Sequence, residues 1–240
     1  MNLSDPLIVF PEGCRHAQFI KRYKRFTVEV LLDGQIVGVH TNNTGSMLGL
    51  LREGQDVFIS PALNPARKLK WTLEMVNSAG GWVGVNTSVP NKIIQCAFEA
   101  GVLPELAGYT DIKREAKVGK SRLDAKFTDE TDNTPKLPDL WVECKNVTLV
   151  EDEVACFPDA PTERGQKHLV ELMELAKSGC RVAMFFFIQR NDGKCFGPAD
   201  FIDPQYAKLF FEALNAGVEC WPYEAILSEK GISVGEKMKF

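Results

Sequence analysis

Glu143 and Lys145 lie within Leu140-Trp141-Val142-Glu143-Cys144-Lys145-Asn146-Val147, an apolar stretch that reads as a strand. Residues two apart on a strand share a face, so a carboxylate and an ammonium are aimed into one place. Nineteen residues before Glu143, Asp124 sits in Ser121-Arg122-Leu123-Asp124-Ala125-Lys126-Phe127, which reads as a neighbouring strand. An Asp facing a Glu-x-Lys across adjacent strands can hold Mg²⁺ or Mn²⁺, because two carboxylates supply hard oxygen ligands. The ammonium can orient an attacking water or offset charge on a phosphate. Asp124 and Glu143 are therefore the expected metal ligands and Lys145 the catalytic cation. The alternative is a solvated strand face carrying a cross-strand ion pair. Glu115, with Arg114 alongside, is the candidate third carboxylate, against an ion pair with Arg122. Asp139 precedes Glu143 on the same strand and lies about 13 Å from it, too far to share one ion.

These side chains need a central strand and a helix behind it. Thr162 reads as the N-cap of a helix from about Glu163 to Ser178 that Gly179 stops. The apolar run Val182–Ile188 then reads as a strand covered on both faces, giving a strand–helix–strand crossover. Leu169, Met173 and Ala176 form an inward stripe, and Gln166, in phase with it, is expected to position a phosphate, with the capping of a loop as the alternative. Arg164 and Lys167 flank it at a helix start that favours anions. A helix over Asn91–Ala100 precedes the paired strands Ile112–Val118 and Arg122–Phe127, joined through Gly119-Lys120. A helix from Pro204 to Ala216, capped by Asp203, leads to a strand at Val218–Tyr223. The segment 129–138 reads as a loop.

Residues 1–85 have a different pattern. Thr27–Leu32 and Ile36–Val39 form a hairpin about Asp33-Gly34. Short strands follow at Val57–Ser60, Lys70–Val76 and Trp82–Val85, with turns at Glu53-Gly54, Asn64-Pro65 and Gly80-Gly81. Such a series predicts a small barrel, OB-like or SH3-like. Lys21, Arg22, Tyr23, Lys24 and Arg25 interleave cations with an aromatic ring before Phe26. Arg67, Lys68 and Lys70 precede Trp71. Cations track a phosphate backbone and rings stack bases, so both runs are candidate nucleic-acid contacts, with solvated surface as the alternative. The loop Asn42–Met47 has glycine but no lysine for a nucleotide phosphate.

Bulk composition narrows the classes. The net charge is −4, yet residues 1–80 carry nine Lys or Arg against seven Asp or Glu, so the local patch decides. Seven scattered cysteines without a Cys-x-x-Cys pair fit a reducing cytosol, and three histidines exclude a histidine-rich metal site. No apolar run approaches the roughly 18 residues of a membrane span, and the start Met-Asn-Leu-Ser-Asp-Pro does not read as a secretory signal. The expectation is a cytoplasmic protein without membrane contact, with a homodimer left open.

The strings Arg22-Tyr23-Lys24-Arg25-Phe26, Asn43-Thr44-Gly45-Ser46-Met47, Val85-Asn86-Thr87-Ser88, Ser121-Arg122-Leu123-Asp124, Val142–Leu149 and Phe157–Ala160 through Thr162–Leu169 resemble the bacterial and archaeal sugar fermentation stimulation protein A family. The resemblance runs from about residue 10 to 228. It implies an α/β chain, α+β overall: an OB-fold-like domain over 1–85, then a PD-(D/E)xK restriction-endonuclease-like αβββαβ domain with a mixed sheet over 86–240. It also implies DNA binding without strong sequence preference, to single or double strands. Position by position it sets Asp124, Glu143 and Lys145 at the superfamily's metal and catalytic positions, and Gln166 at the supporting polar residue of the following helix. The family name records an association with sugar catabolism, maltose in particular, not a reaction on sugar. The reading that follows is a Mg²⁺- or Mn²⁺-dependent nuclease. A regulator that keeps the nuclease scaffold without catalysis is the first alternative, and a sugar-binding barrel the second.

Overall fold

Asp33 and Gly34 both take positive φ (50° and 78°) and turn one strand back onto the next, which fixes the register of the first hairpin. The computed structural model describes residues 5–78, 81–118, 121–132 and 135–240. The Gly119-Lys120 turn, Gly80 of the Gly80-Gly81 turn, part of the 129–138 loop and the first four residues lie outside that set.

The chain begins with β1 (Ile8–Val9), then builds β2 (Arg15–Arg22), β3 (Thr27–Leu32), β4 (Gln35–His40), β5 (Asp56–Pro61), β6 (Trp71–Ser78) and β7 (Gly81–Gly84). Strands β2 to β7 form one sheet in the order β4-β3-β2-β5-β6-β7, and a β4–β6 pairing closes it into an OB barrel. Alternation drives closure: Val28, Val30, Val39, Val57, Ile59 and Leu73 point inward and are buried in one core. Lys21 and Arg22, singled out in the sequence only as cations, close the central strand β2, which the sequence reading did not assign.

Next come α1 (Val89–Glu99), β8 (Asp111–Val118), β9 (Ser121–Thr128), β10 (Leu140–Val147), β11 (Leu149–Glu151), β12 (Val154–Phe157), α2 (Glu163–Lys177), β13 (Arg181–Ile188), β14 (Cys195–Pro198), α3 (Pro204–Asn215), β15 (Glu219–Ser228) and β16 (Gly231–Lys237). The larger sheet runs β1-β16-β15-β13-β10-β9-β8 and is mixed, with β10, β13 and β15 parallel. Ile8–Val9 thus belong to this sheet and not to the barrel, so the chain touches the second layer before it builds the first. A small sheet, β11-β12-β14, sits apart.

Helix α1 covers one face, where Ile93, Ile94 and Ala97 pack on Ala125, Val142, Phe185 and Phe187. Helices α2 and α3 cover the other, where Leu169, Leu172, Tyr206 and Phe210 pack on Val182, Met184 and Phe186. Both helices start on side-chain caps, Thr162 accepting from Gly165 N–H and Asp203 from Tyr206 N–H. Burial on both faces explains the uninterrupted apolar run of β13.

Phe186 is fully buried and its ring contacts Phe157, Phe196 and Phe210 at centroid distances of 5.8, 4.3 and 5.9 Å. Phe186→Ala is expected to lower the unfolding free energy by about 3–5 kcal/mol in a urea titration, and a loss below about 1 kcal/mol contradicts this account of the core.

Candidate active site

Strand β10 is paired with β13 along all eight of its residues, but with β9 only from Leu140–Phe127 to Val142–Ala125. Past that point the two strands part. The Cys144 N–H, which would otherwise meet a β9 carbonyl, donates to Asp124 Oδ2 at 2.8 Å. Asn91 Nδ2, from the first turn of α1, donates to Asp124 Oδ1 at 2.5 Å. A turnover in β9 brings the carboxylate there: Leu123 packs in the core under α2 and α3, while Ala125, two residues on, packs under α1. In the β8–β9 ladder the position opposite Asp124 falls to Glu115, whose φ of +50° breaks the regular alternation.

Glu143 points to the α2 side and is almost fully buried. Its Oε1 accepts from Lys145 Nζ at 2.6 Å and is also paired with His168 Nδ1, while Lys145 Nζ lies 3.3 Å from the same ring nitrogen. Glu143 Oε2 has no hydrogen-bond partner among the described residues. Burial works against ionising Glu143, but the Lys145 ammonium and His168 outweigh it and hold the carboxyl down at about 2. Burial and then the Glu143 charge push Asp124 up to about 6, against the pull of the Cys144 N–H and Lys145. The Glu143 charge is among the causes that raise Asp124, so the two carboxylates share one electrostatic environment.

Two carboxylates suit Mg²⁺ or Mn²⁺, since Mg²⁺ keeps several waters and needs few protein ligands. Among the described residues no group of three or more His, Cys, Asp or Glu side chains is arranged as a metal cage. The Glu143 oxygen without a partner among the described residues, with Asp124 beside it, fits a cation that would supply that partner.

The helix contributes a different residue from the one its periodicity suggested. The inward positions of α2 are Gly165, His168, Leu169 and Leu172. Gln166 turns aside, its Nε2 donating to Asp203 Oδ1 and Oδ2 at 3.0 and 3.1 Å, and so ties the start of α2 to the cap of α3. Leu169 belongs to both stripes, so spacing alone did not choose between them; His168, two residues from Gln166, was the available signal. Asn91 carried no signal beyond its place in the first turn of α1.

Glu115 is also displaced from the expected role. It is exposed and pairs with Arg122 at 3.7 Å, beside Lys113, Lys117, Lys126 and Trp141. Asp139 pairs with Lys126 at 2.6 Å.

In the barrel, two of the expected phosphate contacts are spent on the fold. Arg22 donates to Asn43 O, Gly45 O and Arg25 O, and Arg67 to Leu69 O, Trp71 O and Thr72 Oγ1. Trp71 packs against the barrel core, and Lys70 Nζ donates to Pro65 O. Lys21 pairs with Glu29 at 3.4 Å. Tyr23 and Phe26 are half exposed, with Lys24 over the Tyr23 ring at 5.2 Å and Arg25 over the Phe26 ring at 5.8 Å. Lys68 and Arg164 are exposed, and Lys167 pairs with Glu171 at 3.7 Å.

Comparison with known proteins places these features in a lineage. A family profile described as "Sugar fermentation stimulation protein RE domain" matches residues 88–231, and one described as "SfsA N-terminal OB domain" matches residues 20–85. A protein of Maridesulfovibrio salexigens named sugar fermentation stimulation protein homolog is 72% identical over 236 residues, covering 98% of each chain. One of Syntrophobacter fumaroxidans with the same name is 53% identical over 233 residues, covering 97% of this chain and 87% of its own. A solved structure described as Pyrococcus furiosus SfsA in complex with Ca²⁺ superposes with a TM-score of 0.87 at 29% identity, covering 97% of both chains.

In the metal-free protein the Asp124 carboxyl, followed by ¹³C NMR, is expected to titrate near pH 6, and Glu143→Gln to move that midpoint down. Cation affinity is then expected to fall as pH drops through about 6, because protonated Asp124 no longer serves as a ligand. A wild-type midpoint at the ordinary 3.8 would contradict the shared environment. Gln166→Ala is expected to lower the melting temperature and leave cation affinity unchanged.

Proposed function

The chain belongs to the sugar fermentation stimulation protein family, and on that premise we propose that it is a DNA-binding protein whose larger sheet carries a Mg²⁺- or Mn²⁺-dependent phosphodiesterase site. One observation carries the reading: among the described residues Glu143 Oε2 is buried without a partner, beside Asp124, whose carboxyl is pushed up to about 6. An orphaned carboxylate oxygen in a dry site is costly unless a cation meets it. The Pyrococcus furiosus structure, described as a complex with Ca²⁺, supports a divalent ion in the same fold.

In this reading Asp124 and Glu143 hold the ion, which would supply Lewis-acid polarisation of a phosphoryl oxygen. Lys145 faces the phosphate that water attacks and offsets the negative charge that grows on it as the bond to the leaving sugar oxygen breaks. His168 and Glu143 fix the ammonium so that it is positioned before substrate arrives. Asn91 and the Cys144 N–H orient Asp124 in the same way. Strand binding falls to the exposed Tyr23, Lys24, Arg25 and Phe26, where cations lie over aromatic rings, with Lys21, Lys68 and Arg164 as further exposed cations.

Purified protein with DNA and Mg²⁺ or Mn²⁺ is expected to cleave it, and Lys145→Ala or Glu143→Ala to reduce the rate on the order of 100-fold or more. DNA affinity is expected to fall steeply with added salt. Salt-sensitive binding with no cleavage above the Lys145→Ala background would instead make the protein a DNA-binding regulator without catalysis.

A further inference from the structure

The open edge of β10 leads into a second feature, a cavity between the larger sheet and the barrel. Beyond Val142 the strand has lost β9, and on that stretch a space of about 270 Å³ is lined by Thr44, Thr87, Lys145, Asn146, Phe157 and Asp159, among others. Lys145 belongs both to this lining and to the Glu143 pair. The pocket therefore adjoins the place where the phosphate is handled.

The barrel side of the pocket is built rather than incidental. Arg22 holds the loop 43–45 through two carbonyls, Asn43 Oδ1 accepts from Gly45 N–H at 2.9 Å, and Ser46 Oγ donates to Asp159 O at 2.8 Å. Met47 N–H donates to Asp159 Oδ2 at 3.2 Å. A Cβ at Gly45 would stand 3.0 Å from both Asn43 Oδ1 and Asp159 Oδ2, so a side chain there would press on that carboxylate. Arg22 is next in the chain to Tyr23, so the same residue links the exposed aromatic hairpin to the pocket's wall.

Resting on the phosphodiesterase reading, we propose that this pocket takes one unpaired nucleoside next to the scissile phosphate, so that the substrate is single-stranded or locally opened DNA. The amide of Asn146 and the hydroxyl of Thr87 offer donors and acceptors to a base edge. The Asp159 carboxylate can accept from an exocyclic amino group, and Phe157 supplies a ring. A polar pocket of this size has room for one nucleoside, whereas a stacked base pair has to open before either base can enter. The exposed rings of Tyr23 and Phe26 fit the same substrate, since unpaired bases can stack on them.

Thr44 is exposed, lies outside the catalytic cluster and lines the pocket, so Thr44→Trp fills it and Thr44→Ala leaves it open. Fluorescence anisotropy in EDTA and cleavage in Mg²⁺ would compare a single strand with a blunt duplex of equal length, after melting temperatures confirm that the variants fold. The wild type and Thr44→Ala are expected to favour the single strand in both assays, and Thr44→Trp to weaken its binding and cleavage at least about tenfold with duplex binding unchanged. Single-strand preference that Thr44→Trp abolishes in EDTA, without cleavage in Mg²⁺, would keep the pocket and remove the phosphodiesterase reading. Equal cleavage of both substrates, or a preference that Thr44→Trp leaves intact, would overturn the pocket while the phosphodiesterase reading stands.

Discussion

Between β9 and β10 the backbone ladder ends at Ala125 and Val142, and the Cys144 N–H takes a carboxylate oxygen of Asp124 in place of a carbonyl. A sheet that parts in mid-strand must satisfy its freed amides or lose stability, and here a charged side chain does so. The consequence is a half-buried carboxylate beside Glu143, on the next strand of the same sheet. Lys145 and His168 keep Glu143 ionised, while Asp124 is left with a raised affinity for a proton. The group that closes the gap in the ladder is thereby also the proposed cation ligand.

The strand and its two charges were legible because alternation is local: eight residues suffice to say that Glu143 and Lys145 share a face, and the structure draws them to 2.6 Å. The caps Thr162 and Asp203 were legible for the same reason, each being set within a few residues. The contribution of α2 was not. Gln166 and His168 each lie on a stripe containing Leu169, and the choice is made by Asp203, the cap of another helix, which takes the Gln166 amide. Glu115 failed because the positive φ at that residue and the turnover of β9 break the rule that opposed residues on adjacent strands share a face. Arg22 and Arg67 looked like phosphate contacts because a sequence does not reveal which carbonyls lack a donor. The β1–β16 pairing joins residues more than two hundred positions apart, beyond the reach of any local pattern.

The barrel and the larger sheet meet at polar groups rather than at a purely apolar seam. Gln189, at the end of β13, accepts from Gly84 N–H through its backbone carbonyl at 2.8 Å, and its side-chain amide bonds Asn86 O and Asn146 Oδ1. A Cβ at Gly84 would run into that amide, so glycine is the residue that lets the last barrel strand come this close. Asn86 in turn joins Asn42, Ser88 and the buried Glu74 in one hydrogen-bonded set. Such networks fix orientation as well as contact. They give the loop 43–47 a defined place against β10, and with it the wall of the pocket beside Lys145.

The central claim, that Asp124 and Glu143 converge on one divalent ion, is tested most directly by electron paramagnetic resonance of Mn²⁺ titrated into the purified chain. The account predicts one bound ion per chain in the wild type, with binding lost in both Asp124→Asn and Glu143→Gln. Wild-type protein that binds no Mn²⁺, or binding that survives either substitution unchanged, would contradict it.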